Sequence, residues 1–206
     1  MTEQTHEKLK QIKQGFRLLM NGVASQSMRE KGLQYKINWG IQLTELQKIA
    51  GEYGKDYDLA VELWKENIRE CKILATMMMP PEKMPPELAD LWMEQTPSQE
   101  IAEMTAFHLF QYLSYAPAMA YEWIASNRQL YQICGFQILS RLFMNGRKPD
   151  ERGINELIDQ SVAALSESPM AVKHAAHLCL LRFAELGEPY EQIVRNATKS
   201  INLDIL

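Results

Sequence analysis

Asn67-Ile68-Arg69-Glu70-Cys71-Lys72-Ile73-Leu74-Ala75 opens on a polar residue suited to cap a helix and runs on into small and apolar residues. The same layout returns from Ser98 through Ala106-Phe107-His108-Leu109, from Ser126 through Cys134-Gly135-Phe136, and from Ser168 through Ala175-Ala176-His177-Leu178. Asn and Ser side chains accept from the free N–H groups of a first helical turn, so Asn67, Ser98, Ser126 and Ser168 are expected as caps. Self-similarity at intervals of roughly 30–40 residues marks repeat architectures, in which each unit buries its apolar face only against its neighbours. The fold expected is all-α, an α-solenoid of stacked antiparallel helix pairs. Such a fold is a binding surface first and an enzyme second.

Outward from these copies, apolar residues recur at spacings of three and four and strict alternation is absent. A first helix over 7–20 carries Leu9, Ile12, Phe16, Leu19 and Met20 on one face, with Gly22 as its stop. A short helix over 27–31 precedes the irregular Tyr35-Lys36-Ile37-Asn38-Trp39-Gly40, and the next, over 44–53, is closed by Gly54. Helices follow over 57–65, 68–79, 86–94, from Ser98 to 113, 116–125, 128–144, 150–165, 169–186 and 190–200. Pro80-Pro81 and Pro85-Pro86 bracket a rigid connection, because proline cannot continue a helix interior. No linker or low-complexity tract interrupts the pattern, which predicts a single domain over 1–206.

The apolar share of 46% and charged share of 23% are those of an ordinary globular chain. No apolar run approaches the roughly 20 residues a membrane span needs, and residues 1–13 lack an apolar signal core. A cytoplasmic monomer is expected. Cys71, Cys134 and Cys179 are odd in number and fall in expected helices, as reduced, buried thiols do. The net charge of −4 is unevenly spread: residues 1–50 hold eight Lys/Arg against four Asp/Glu, and residues 51–100 hold five against eleven. An acidic total leaves room for one basic face, since phosphate binding is local. No Gly-rich phosphate loop, Ser/His/Asp set or CxxC pair is present, which excludes the commoner nucleotide and thiol chemistries.

Three ordered stretches carry a resemblance. Trp39-Gly40-Ile41-Gln42-Leu43-Thr44-Glu45, Leu63-Trp64-Lys65-Glu66-Asn67-Ile68-Arg69-Glu70 and Trp123-Ile124-Ala125-Ser126-Asn127 are together similar to blocks of the HEAT-like-repeat DNA glycosylases, the DNA alkylation repair enzymes. The resemblance spans roughly residues 28–190. It implies a HEAT-like superhelix binding duplex DNA in a concave groove, and excision of N3- or N7-alkylated purines with no metal and no cofactor. In that chemistry an aromatic cleft and one carboxylate stabilise the cationic sugar as the base leaves, without the enclosed pocket of base-flipping enzymes. Register from the blocks puts the family's aromatic and carboxylate at Gln99 and Glu103, its Arg near Ile133 and its second Trp near Cys179. Only the carboxylate keeps its chemistry, so an inert scaffold that binds a protein or distorted DNA is the alternative.

Glu103 is therefore the candidate catalytic residue, against the plainer reading of a solvated helix face; Glu100, one turn earlier, shares its role or faces water. Lys10, Lys13, Arg17, Arg29, Lys31 and Lys36 are candidate phosphate contacts in the basic N-terminal third, or else the wet faces of amphipathic helices. Arg141, Arg147, Lys148 and Arg152 surround a helix end, where the dipole favours cations anyway, and Lys173 and Arg182 would extend the track. His174 and His177 have zinc-ligand spacing but no evident third ligand, and His108 sits in an equivalent repeat; packing or surface roles account for them. Trp39, Trp64, Trp92 and Trp123 read as core between repeats, and Met77-Met78-Met79 as a gap filler beside the prolines.

Overall fold

The computed structural model describes residues 2–33, 35–199 and 201, and among them it holds twelve α-helices, two 3-10 turns and no strand. Residue contacts divide the chain into two compact units, one ending at Leu109 and the other beginning at Phe110.

The first unit contains α1 (Glu3–Leu19), α2 (Gly22–Glu30), α3 (Leu43–Tyr53), α4 (Tyr57–Lys65), α5 (Arg69–Met78), α6 (Pro86–Glu94) and α7 (Gln99–His108). Helix α5 is its axis, packed by α3, α4 and α7, while α1 lies on α4. Helix α5 is buried along nearly its whole length, including the charged Arg69, Glu70 and Lys72. Trp64 and Trp92 stack face to face with ring centroids 4.2 Å apart. The Lys72 ammonium sits 4.3 Å above the Trp64 ring and donates to the Trp64 carbonyl at 2.9 Å. The repeat interval reappears as hydrogen bonds. Trp39 N–H to Glu70, Trp64 Nε1–H to Gln95 and Arg69 to Glu100 each join residues 31 apart.

Local signals corrected several expected boundaries. Gly22 does not stop the first helix; it opens α2, because the Asn21 side chain accepts from Ala24 N–H at 3.0 Å. Helix α1 begins earlier than residue 7, since Thr2 accepts from Thr5 N–H at 3.2 Å. Helix α7 ends at His108 rather than running to 113, and Phe110–Tyr112 forms a 3-10 turn. Of the four expected caps, Ser98 alone caps its helix, accepting from Ile101 N–H at 3.3 Å. The helices after Asn67, Ser126 and Ser168 start from Ile68, Arg128 and Pro169 without a side-chain cap bond. At α5 the reason is tertiary. The Arg69 N–H goes to the Ile37 carbonyl at 3.1 Å, so the loop replaces the cap.

The second unit contains α8 (Ala116–Ile124), α9 (Gln129–Met144), α10 (Glu151–Glu167), α11 (Met170–Ala184) and α12 (Glu188–Lys199). Helices α8 and α9 pair, α10 and α11 pair, α9 packs on α11, and α12 closes on α11. Gly135 permits the first pairing: a Cβ there would lie 2.8 Å from the Ala120 carbonyl oxygen and 3.0 Å from Ile124 N. This is the small residue of the third copy, selected for close helix approach. Helix α10 is capped by Asp150, which accepts from Gly153 N–H at 2.8 Å. Ser200, the expected end of the last helix, lies outside the described residues.

Cys71, Cys134 and Cys179 are free and buried, as expected. Trp64, Trp92 and Trp123 are core, whereas Trp39 is only half-buried. Met78 and Met79 fill the core beside the prolines, and Met77 is half-buried. Among the described residues no helix is long and apolar enough to cross a membrane.

Candidate nucleic-acid interface

The irregular segment 35–41 is held in a fixed shape by buried charge. Glu70, with no exposed surface, accepts from the N–H groups of Trp39 at 3.2 Å and Ile41 at 3.3 Å, and from Arg69 Nη1 at 3.2 Å. Arg69 turns its other edge to Glu100, with Nη2 at 2.6 Å and Nε at 3.0 Å from Oε1. It also donates to the Ile41 carbonyl at 3.2 Å. Tyr35 donates to Glu100 Oε2 at 2.7 Å and lies 2.7 Å from Ser98 Oγ. Burial disfavours the Arg69 cation, but the Glu100 carboxylate bound to it, with Glu70 behind, outweighs that and raises its pKa. Burial is also the chief reason the Tyr35 phenol is pushed above its usual range. Arg-carboxylate forks of this kind are strong and directional.

That segment forms one wall of a cleft of about 560 Å³ in the first unit. Helix α1 supplies His6, Lys10, Lys13 and Arg17, a stripe at helical spacing; the segment supplies Lys36, Ile37 and Trp39; Glu62, Glu66 and Asn67 close the far side. Lys13 pairs with Glu66 at 2.9 Å, and Lys10 lies 3.9 Å from Glu7. Among the described residues Arg17 and Lys36 have no ion pair, and both are exposed. Four cations thus face two carboxylates beside a half-buried indole. Exposed, unspent cations at a cleft with an aromatic wall suit a polyanion with flat faces.

The second unit has its own cleft, about 800 Å³, lined by Arg147, Lys148 and Arg152 but also by Glu122, Asp150 and Glu156. Its charges balance. The Tyr121 hydroxyl lies buried there with no hydrogen-bond partner among the described residues, and burial first, then Cys179, Asp150 and Glu156, pushes its pKa up.

The expected site residues therefore part company. Lys10, Lys13, Arg17 and Lys36 come together; Arg29 and Lys31 are exposed at the end of α2, outside that cleft. Arg147, Lys148 and Arg152 share the balanced cleft, which Arg141 does not line. Lys173 donates to the Ser166 carbonyl at 3.1 Å, and Arg182 forks onto Glu185 at 2.7 and 2.9 Å. Glu103 is half-buried on α7, accepting from Gln99 Nε2 at 2.8 Å, and lines neither cleft. Ile133 and Cys179, the register positions for the Arg and the second Trp, are fully buried; burial pushes the Cys179 thiol up to about 12. Glu100 does not simply face water: it is the clamp on Arg69. The role of Arg69, Glu70 and Glu100 was not read from the sequence, although Arg69-Glu70 stands in one of the three blocks. The first two blocks are in fact hydrogen-bonded to each other through Glu70 and Arg69.

Fold and cleft define a helical-repeat protein with a localised basic surface. The family model for DNA alkylation repair enzymes matches residues 12–195, and the chain belongs to that family. A solved structure described as representing a new family of proteins related to the HEAT-like repeat DNA glycosylases, with affinity for branched DNA structures, superimposes with a TM-score of 0.85. It is 19% identical and the match covers 94% of this chain and 83% of its own, so the fold is of the HEAT-like-repeat kind. No curated protein matches the chain.

Proposed function

We propose that this protein binds DNA by its sugar–phosphate backbone in the cleft of the first unit, through Lys10, Lys13, Arg17 and Lys36. The observation that carries the reading is the convergence of these four cations beside Trp39, on a chain whose net charge is −4. Membership of a DNA repair family supports it, and so does the affinity for branched DNA described for the structural neighbour. Duplex arms are the natural ligand of such a cleft, because phosphates are spaced along them and carry no demand for sequence.

The test is binding of a linear duplex as salt is varied. Each phosphate contact contributes about 0.9 to the slope of log affinity against log salt. Replacing Arg17 and Lys36 by Ala should lower the slope by about 2. An unchanged slope, or a wild type that does not bind at low salt, would overturn the reading in favour of a protein-binding scaffold.

A second reading, excision of alkylated purines with Glu103 stabilising the cationic sugar, rests on the family and on a half-buried carboxylate in the expected helix. Gln99 in place of an aromatic weighs against it, as does the burial of Ile133 and Cys179. Release of free methylated purine from alkylated duplex, wild type against Glu103→Gln, decides: no release by wild type at high enzyme removes it.

A further inference from the structure

The corner between α1 and α2 shows three apolar side chains to solvent: Leu18 is 89% exposed, Met20 62% and Val23 82%. Isolated exposed apolar residues need no explanation, but three within six positions at a sharp corner do. Ile37, 40% exposed, adds a fourth apolar surface on the cleft wall. The corner is joined to the basic cleft. Leu18 follows Arg17 and lies one helical turn beyond Gln14, both of which line the cleft. Asn21 N–H donates to the Trp39 carbonyl at 2.8 Å, and Ser25 Oγ–H donates to the Asn38 carbonyl at 2.8 Å. Gly40, at φ +69°, lets the two backbones touch, since a Cβ there would fall 2.2 Å from the Asn21 carbonyl oxygen. The apolar tip is therefore held rigidly against the segment that presents Lys36 and Trp39.

We infer that Leu18, Met20 and Val23 form a wedge that covers the open base-pair face at a DNA branch point, while the adjacent cations hold the phosphates of the arms. The inference rests on the DNA-binding reading above and names what that site selects. An intact linear duplex offers no apolar face to such a tip, because its bases are stacked on both sides. A branch or end exposes one flat, poorly hydrated base pair within a few ångströms of phosphate. Leu and Met are among the side chains that architectural proteins set against opened base steps. The charge beside the tip selects a nucleic acid over an uncharged apolar partner, and pre-fixing the corner lowers the entropy cost of the contact.

The experiment compares a four-way junction with a linear duplex of equal length, every end of both closed by a hairpin loop so that only the branch offers an open base pair, using wild type and Leu18→Ser/Met20→Ser/Val23→Ser. All three sites are exposed, so the variant should fold, and circular dichroism checks this. The wild type should prefer the junction, and the variant should lose at least about fivefold of junction affinity, the low end for one stacked base. Its affinity for linear duplex should be unchanged. Leu18→Trp, which enlarges the apolar face, should restore or increase the preference. In parallel, 2-aminopurine placed at the branch should change fluorescence on binding wild type and not on binding the triple variant. Equal loss on both DNAs, or no loss on either, overturns the wedge while leaving DNA binding intact. Wild type that binds neither DNA overturns the DNA-binding reading itself. Binding of the wild type to vesicles of anionic phospholipid but not to DNA makes the same surface a membrane contact and overturns both.

Discussion

Glu70→Ala is the substitution that most directly tests how the cleft is built. The carboxylate has no exposed surface and satisfies two backbone N–H groups, of Trp39 and Ile41, as well as one face of the Arg69 guanidinium. Truncation leaves a buried cation with one partner fewer and two amides with none. Removing one member of a buried ion pair costs about 3–5 kcal/mol. Each orphaned buried donor would by itself cost about 1–3 kcal/mol, but relaxation of the segment 35–41 toward water recovers part of that, so the total stays near about 4 kcal/mol. For a chain of this length a loss of that size lowers Tm by roughly 8–16 °C. Urea unfolding followed by tryptophan fluorescence measures it in the right place, since Trp39, Trp64 and Trp92 all lie in the first unit. Glu70→Gln keeps the shape and one acceptor and should fall between wild type and Ala. Glu103→Gln, whose carboxylate is hydrogen-bonded only by Gln99 among the described residues, should stay within about 0.5 kcal/mol. If Glu70→Ala costs under about 1 kcal/mol, the buried network does not hold the segment and the reasoning fails. If the segment carries Lys36 and Trp39 to DNA, the same variant also weakens duplex binding under conditions where it remains folded.

Gly40→Ala should destabilise by at least about 2 kcal/mol, from the left-handed φ of +69° and the clash with the Asn21 carbonyl; a chemical-denaturation midpoint within error of wild type would refute it. Lys72 is buried and its pKa is lowered to about 8 by burial, against 10.5 in the unfolded chain, so its protonated form weakens the folded state. Stability should therefore rise with pH between about 8 and 10.5 on account of this residue alone, and the difference between wild type and Lys72→Met in urea midpoint isolates it. The background from Cys71 and Tyr35, both raised by burial, runs the other way, which is why the difference is needed. Asp56 caps α4 through Leu59 N–H at 3.1 Å and pairs with Lys8 at 2.7 Å. Burial opposes its charge, yet these bonds hold its pKa below the ordinary value. Its stabilisation is thus full above the unfolded carboxylate range and is lost as pH falls through the folded pKa; Asp56→Asn keeps the cap, costs under about 1 kcal/mol at neutral pH, and should flatten that acid limb in a pH-stability titration.

The three blocks that mark the family are mostly scaffolding. Trp64 stacks on Trp92, Glu70 and Arg69 clasp the Trp39-to-Ile41 turn, and Trp123 meets Phe110 and Tyr131 edge to face at 5.4 and 5.3 Å. Only Trp39, Glu66, Asn67 and Ile68 of the three blocks reach the cleft of the first unit. Arg17 and Lys36, the two cations of the cleft with no ion pair among the described residues, lie in none of the three blocks.

By itself the sequence determined where most of the helices form and that they pack in pairs. Apolar spacing of three and four, prolines at 80–81 and 85–86, and the Ser98 cap act within a turn or two of chain, where helix geometry is decided. It also placed Cys71, Cys134 and Cys179 in the core, because small sulfur side chains on an apolar helix face have nowhere else to go. Only the tertiary structure decided the rest. Asn67 lost its cap to the Ile37 carbonyl, Glu100 became a clamp on Arg69, and Lys10, Lys13, Arg17 and Lys36 met at one cleft. Those outcomes depend on which repeat lies against which, through pairs such as Trp39–Glu70 and Arg69–Glu100 that stand 31 residues apart in the chain. A helical period states which face is apolar; it carries no information about which charge on the neighbouring repeat will arrive opposite.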